Sequence, residues 1–336
     1  MISAQVGKLG YAARVKALRA GMTATVGPRG FGVTVGAALT ATALCVAGCS
    51  SPAGPPNQAS GAKIAAVGAE NEYANVISQI GGQYVAVTAI MSNPNTDPHT
   101  FEADPQVART VSAARLIVQN GLGYDDFMTK IERDAGGAGR QVIDVQKLLG
   151  LPDSTPNPHL WYKPSTMPAV ATAVAHGLAT IDPAHRAYFE RNVTTFDDSL
   201  QSWTRAIAQL KAAYPGAAVA TTEPVADYLL QAAGIKNLTP WAFQADIMNG
   251  VDPSPQDVAV EKGLFTGHKA QAFVYNQQVT DSLTQSLIAL AKQNNVPIVG
   301  VYETMPAGYD YQAWMTAEVS ALRNAIGRHQ SAPTLQ

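Results

Sequence analysis

The feature that most constrains the fold is an apolar stripe in the middle of the chain, with residues spaced alternately four and three positions apart. The stripe comprises Phe189, Val193, Phe196, Leu200, Trp203, Ile207 and Leu210. This spacing places them on one face of an α-helix, and Pro215-Gly216 follows as a stop signal. The pattern predicts a single helix over residues 183–214, about 45 Å long at about 1.5 Å per residue. Such a helix is too long for one βα repeat and is better suited to a rigid spine between two lobes.

Short apolar strands alternate with helical segments on both sides of this stripe. The predicted strands are residues 63–68, 84–90, 116–120, 217–221, 270–275 and 296–301. Alternation of this kind is typical of right-handed βαβ units and parallel sheets. The predicted fold is therefore α/β, with two parallel-sheet lobes joined by one long spine helix. The first lobe covers residues 62–182, the spine 183–214, the second lobe 215–328 and a tail 329–336.

The N-terminal segment has the layout of an export signal. Its first 48 residues carry five basic residues and no acid, and residues 31–47 are apolar and rich in small side chains. Val46-Ala47-Gly48-Cys49 resembles the bacterial lipobox, which predicts a signal peptide over residues 1–48 and a lipid on Cys49. The alternative is a cysteine at the end of an uncleaved anchor, and translation could start at Met1 or Met22. The composition of residues 49–61 predicts a flexible linker.

Cysteine content and charge exclude several kinds of function. The chain has two cysteines, Cys45 and Cys49, and both precede the predicted lobes. The lobes therefore contain no disulfide, no cysteine-ligated zinc and no thiol nucleophile. Without the five basic residues of the signal, 18 Lys and Arg stand against 25 Asp and Glu, a charge of −7. This balance argues against a nucleic-acid partner.

Two imidazoles and two carboxylates stand beside prolines on separate loops. Their positions are His99 in Asp97-Pro98-His99-Thr100, His159 in Asn157-Pro158-His159-Leu160, Glu223 in Thr222-Glu223-Pro224 and Glu303 in Tyr302-Glu303-Thr304-Met305-Pro306. Nitrogen and carboxylate donors suit a divalent cation such as Zn²⁺ or Mn²⁺. Ligands of α/β proteins bind beyond the carboxyl ends of strands, and two candidates come from each half. The sequence thus predicts a cation in the cleft between the lobes.

The prediction of a cation site rests on the combination of the two histidines and the two glutamates, because each of these residues alone has a simpler explanation. A lone histidine near proline is usually a surface or core residue, and a glutamate at a strand end is usually solvated or a helix cap. The remaining histidines lack a matching motif and are interpreted as surface, helix-start, loop and tail residues: His176, His185, His268 and His329.

The loop motifs resemble those of the cluster A-I, or TroA-like, metal-binding lipoproteins of ABC importers, over residues 62–328. The resemblance implies two Rossmann-like lobes joined by one rigid helix. It implies His99 and His159 as the first two ligands, with Asn157 in place of the usual aspartate. It implies Glu223 as the third ligand, a position held by His in typical zinc members and by Glu in manganese members. Glu303 would be the fourth, where most members have aspartate.

The predicted function is capture of Zn²⁺ or Mn²⁺ outside the cytoplasm and delivery of the ion to an ABC permease. The protein is expected to be lipid-anchored and monomeric, and it is not expected to be an enzyme. Two carboxylate ligands favour Mn²⁺, whereas the Irving–Williams order of affinities favours Zn²⁺. The sequence therefore does not decide between the two metals. Alternative hypotheses are an extracytoplasmic metallohydrolase and a surface adhesin or metallochaperone. The chain has no His-Glu-x-x-His, Gly-x-Ser-x-Gly or P-loop motif to support an enzyme.

Overall fold

The structure, a computed structural model, describes residues 62–95, 98–135 and 139–335. The predicted signal peptide, Cys49 and the linker lie outside these residues, as does Asp97 of the first histidine motif. Among the described residues, no helix combines the length and the apolar character needed to span a membrane.

The first lobe is built on a four-stranded parallel sheet in the order β2-β1-β3-β4. Its elements are β1 (Ile64–Glu70), α1 (Asn71–Gly81), β2 (Val85–Met91), α2 (Pro105–Ala113), β3 (Leu116–Gln119), α3 (Asp126–Ala135), β4 (Gln141–Asp144), α4 (Val145–Leu148) and α5 (Thr166–Ile181). Strand β3 is buried along its whole length, because helices cover the sheet, as is usual for parallel sheets.

The second lobe repeats this topology, with a parallel sheet in the order β6-β5-β7-β8. Its elements are β5 (Ala218–Thr221), α8 (Asp227–Ala232), β6 (Lys236–Asn237), α9 (Trp241–Met248), α10 (Pro255–Thr266), β7 (Phe273–Asn276), α11 (Ser282–Gln293), β8 (Ile298–Val301) and α12 (Tyr311–Arg328). The α/β fold with two parallel lobes is thus confirmed. In each sheet the connections leave the first and third strands in opposite directions, which creates a switch point where α/β proteins bind ligands.

The predicted single spine helix is two helices in the structure. Helix α6 (Arg186–Ser199) is followed by α7 (Gln201–Ala213), and Leu200 between them forms a turn with φ −73° and ψ −12°. The backbone N–H of Leu200 is shared between the carbonyls of Phe196 and Asp197, both at 3.2 Å. The Ser199 hydroxyl also donates to Phe196 O, at 2.6 Å, and such local bonds compete with the regular helix ladder. The apolar stripe runs through the turn because Leu200 keeps a right-handed conformation.

The two spine helices serve different lobes. Helix α6 packs against α1 and α5 of the first lobe, whereas α7 packs mainly against α12 of the second. After α12 the chain returns to the second sheet, where Ala332 forms a parallel bridge with Val299 of β8. The backbone N–H of Gly300 donates to Ala332 O at 2.9 Å, so the predicted tail extends the sheet beside β8.

Candidate metal centre

The loop that carries His159 is fully buried and tied down on both sides. Asn120, the first residue after β3, donates from its side-chain amide to Pro158 O at 2.8 Å. Asn157 donates from Nδ2 to Pro224 O of the second lobe at 2.8 Å, and the Tyr228 hydroxyl donates to Asn157 O at 2.9 Å. The His159 ring is 0% exposed. The loop is therefore held at the cleft by contacts from both lobes.

Asn157 also selects the tautomer of His159. Its Nδ2 is committed as a donor to Pro224 O, so its Oδ1 faces the histidine and accepts from the His159 backbone N–H at 3.0 Å and from ring Nδ1 at 2.8 Å. A proton on Nδ1 leaves the Nε2 lone pair available. This is the arrangement in which an outer partner orients a metal-binding imidazole.

His99 lies on a more open loop. It forms a 3-10 turn with Pro98 and Thr100, closed by a hydrogen bond from Phe101 N to Pro98 O at 3.1 Å. Its side chain is 24% exposed. The two imidazole rings stand nearly perpendicular, at 85°, with centroids 6.3 Å apart. The site therefore has one buried imidazole and one that reaches solvent.

Glu303 is the point on which both histidines converge. It is the second residue after β8 and 1% exposed. Its Oε2 lies 3.2 Å from His99 Nε2 and 3.2 Å from His159 Nε2. One possible ligand atom from each of His99, His159 and Glu303 lies within 4.8 Å of the other two. Lone pairs of two nitrogens and one carboxylate oxygen repel one another unless a cation, a metal ion or a proton, lies between them.

Gln278 fixes the backbone beside Glu303. Its Oε1 accepts from the backbone N–H groups of Glu303 and Thr304 at 2.7 and 2.8 Å. Its Nε2 donates to the Thr304 hydroxyl at 3.1 Å. Asn71, at the start of α1, accepts from Met305 N at 2.9 Å. The Glu303 loop is therefore attached to the first lobe as well as to its own.

Glu223 is near this centre but is not one of the three converging residues. It is the second residue after β5 and is 3% exposed. Asn276, the last residue of β7, donates from Nδ2 to Glu223 Oε1 at 3.2 Å and to Glu303 Oε1 at 2.5 Å. One amide group thus separates the two buried carboxylates. Strands β5 and β7 flank the switch point of the second sheet, which explains why Glu223 and Asn276 meet there.

Tyr124 completes the inner wall of the site. It follows β3 by five residues and is 8% exposed. Its hydroxyl donates to Glu303 Oε2 at 2.9 Å. Its ring meets those of His99, His159 and Trp161 edge-on, with centroids 5.3, 6.0 and 5.1 Å away. Burial and the nearby charge of Glu303 raise the pKa of Tyr124 well above its usual value, so at neutral pH it is a neutral donor.

Charge in the site favours cation binding. Burial lowers the pKa of His159, although its contact with Glu303 opposes this shift. The imidazole is therefore neutral at pH 7, as metal binding requires. Burial raises the pKa of the Glu303 carboxyl, but hydrogen bonds and charge attraction from the two histidines outweigh burial and hold the pKa below its ordinary range. Glu303 is accordingly an anionic oxygen donor.

The structure thus brings together His99, His159 and Glu303, and places Glu223 on the other side of the Asn276 amide. Two residues whose side chains donate hydrogen bonds to the candidate carboxylate ligands are missing from the sequence prediction: Tyr124 and Asn276. Both follow or end strands at a switch point, and this position is the signal that could have drawn attention to them. The sequence marks Asn157 only as a substitution for the usual aspartate, whereas in the structure Asn157 accepts a hydrogen bond from His159 Nδ1 and orients the ring.

Comparison with known proteins agrees with the fold. The family model "Zinc-uptake complex component A periplasmic" (ZnuA) matches residues 67–325. The manganese ABC transporter substrate-binding lipoprotein PsaA of Streptococcus anginosus is 22% identical over 274 residues, which cover 77% of this chain and 85% of PsaA. The iron-binding protein YfeA of Yersinia pestis is 22% identical over 180 residues, 51% of this chain and 57% of YfeA.

Solved structures share the fold. A Mn-bound S38A mutant of a periplasmic metal-binding protein from Candidatus Liberibacter asiaticus superposes with a TM-score of 0.65 at 18% identity, covering 78% of this chain and 98% of that protein. Two parallel lobes enclosing a histidine and carboxylate centre define a metal-binding protein of the solute-binding class. The chain belongs to the ZnuA family of TroA-like metal-binding solute-binding proteins.

Proposed function

We propose that this protein is an exported, lipid-anchored receptor that binds Zn²⁺ or Mn²⁺ between its lobes and passes it to an ABC permease. His99, His159 and Glu303 would supply three donors, and Glu223 the fourth. The observation that carries the proposal is the approach of two imidazole Nε2 atoms to one carboxylate oxygen, each at 3.2 Å. Both first-lobe and second-lobe residues contribute, so a cation here would bridge the cleft.

The names of both relatives support metal binding, and the name of PsaA supports the transport role. PsaA is a manganese ABC transporter substrate-binding lipoprotein and YfeA an iron-binding protein. The lipid anchor is supported by the Val46–Cys49 lipobox and by the lipoprotein naming of PsaA. Growth of expressing cells with a labelled fatty acid tests the anchor: the wild-type chain should incorporate the label and the Cys49→Ala chain should not. Labelling of both chains alike would remove Cys49 from the proposal.

The binding proposal is tested on the mature protein by calorimetry and thermal melting with Zn²⁺ and Mn²⁺. We expect one ion per chain and a rise in Tm, because a ligand that binds only the native state stabilises it by RT ln(1 + [L]/Kd). Glu303→Ala should lose most of both effects. Glu190→Ala is the matched control, since Glu190 is exposed on α6. A Glu303→Ala protein that binds and melts like the wild type would exclude Glu303 as a ligand.

A further inference from the structure

Glu303 and Glu223 are held by the same side chain, although they follow different strands. Asn276 Nδ2 carries two hydrogens, and the structure directs one toward Glu303 Oε1 and the other toward Glu223 Oε1. The carbonyl of the same amide accepts from Gln278 N at 2.9 Å. The backbone N–H of Asn276 donates a hydrogen bond to the Thr222 hydroxyl oxygen at 3.0 Å. Asn276 is thus fixed at both ends of its side chain and at its backbone.

This arrangement divides the oxygens of each carboxylate. Glu303 Oε1 is committed to Asn276, whereas its Oε2 faces both histidines. Glu223 has its Oε1 committed in the same way. Each carboxylate oxygen has two lone pairs, and a hydrogen bond to one oxygen favours the other oxygen as the ligand atom for a cation. The protein would then offer two imidazole nitrogens and two single carboxylate oxygens.

Four donors of this kind suit one class of cation better than another. Zn²⁺ takes four ligands readily, whereas Mn²⁺ is suited to six, largely oxygen, ligands and gains from carboxylates that bind through both oxygens. We propose that Asn276 is a specificity-determining residue that limits Glu223 and Glu303 to one oxygen each and so makes the site select a four-coordinate, Zn²⁺-like cation over Mn²⁺. This inference rests on the proposed metal-binding function.

Asn276→Ala is the direct test. Without the amide, two adjacent buried carboxylates lose their common donor, and their freed oxygens can turn toward the cation. We expect the ratio Kd(Mn²⁺)/Kd(Zn²⁺) to fall by about 10-fold or more, within the 10- to 100-fold range of outer partners of metal ligands. With Co²⁺ as probe, the wild type should show the intense visible bands of four-coordinate cobalt, and the variant the weaker bands of higher coordination.

Three further variants separate this role from a general loss of structure. Asn276→Ser, with a single hydroxyl proton that can serve only one carboxylate, should shift the ratio in the same direction and is the substitute if Asn276→Ala does not fold. Tyr124→Phe removes a donor from Glu303 Oε2 and leaves Oε1 held, so both affinities should change together and the ratio should stay. Asn237→Ala is the matched control, because Asn237 is another strand-end asparagine whose Nδ2 donates to Thr221, Asp227 and Gln244.

The outcomes distinguish the two proposals. If the wild type binds neither metal, the proposed function fails and this inference with it. If the wild type binds through His99 and His159 but the Asn276 variants keep both the wild-type ratio and the wild-type cobalt spectrum, only the role of Asn276 is overturned. A ratio that shifts equally in Tyr124→Phe or Asn237→Ala would also overturn it.

Discussion

The two histidine loops of the site differ in how firmly they are held. The His159 loop is buried, receives hydrogen bonds from Asn120 and Tyr228, and reaches across to Pro224 of the other lobe. The His99 loop is a single 3-10 turn whose imidazole is 24% exposed. The candidate metal site therefore has a firmly held side, formed by the His159 loop, and a solvent-facing side, formed by the His99 loop. A preorganised donor loses less entropy on binding, so His159 should contribute more to affinity.

Removing each imidazole in turn is the strongest way to break this comparison. His159→Ala should weaken Zn²⁺ binding by about 100-fold or more and His99→Ala by about 10-fold or more, since effects of this order follow even from loss of partners outside the ligand shell. Calorimetry with competing chelators measures both. His176→Ala on the exposed face of α5 is the control. Equal losses, or a larger loss at His99, would show that the buried loop has no advantage.

A smaller effect should follow from loosening His159 without removing it. Asn157→Ala deletes the acceptor for Nδ1–H and the bond to Pro224 O. We expect about a 10-fold loss of affinity, because outer partners of ligand imidazoles typically contribute 10- to 100-fold. Stopped-flow removal of the metal by a chelator should show faster release. Unchanged affinity and release would mean that packing around the ring suffices to orient it.

The smallest expected effect is a shift in titration. Burial lowers the pKa of His159 despite its contact with Glu303, whereas an unfolded histidine titrates near about 6.5. As the pH falls below about 6.5, the histidine is protonated in the unfolded chain before it is protonated in the folded chain, so the folded state loses stability. At still lower pH, His159 of the folded protein is protonated as well, and protons then compete with the metal ion for its ring nitrogen. Proton NMR of the metal-free protein, with His159→Ala to assign the resonance, should give a midpoint below 6.5. A midpoint above 6.5 would show that attraction to Glu303 dominates.

Several parts of this molecule could be predicted from the sequence because their signals are local. The stripe from Phe189 to Leu210 predicted helix, and the strand-helix alternation predicted two parallel lobes, which the structure confirms. The motifs around His99 and His159 marked two loops that the structure places together with Glu303. The assignment of these residues as metal ligands stays a prediction.

Other parts depend on pairing between distant segments and left no local signal. Strand order is one example, and the meeting of Tyr124 with Glu303, 179 residues apart, is another. The turn at Leu200 could not be predicted from the sequence because it leaves the spacing of the apolar residues unchanged. Asparagine and tyrosine are common in loops, so Asn276 and Tyr124 could be recognised only once the switch points were located.

The turn at Leu200 has a mechanical consequence. Helix α6 packs against the first lobe and α7 mainly against the second, so a change in the angle between the two helices at this turn would change the relative position of the lobes. The 13 residues of α7 form an arm of about 20 Å at about 1.5 Å per residue. A rotation of only about 5° at the turn moves the far end of an arm this long by about 1.7 Å. Metal–ligand distances tolerate changes of only about 0.2 Å, so a much smaller shift between the lobes at the metal site would already weaken the hold on a cation.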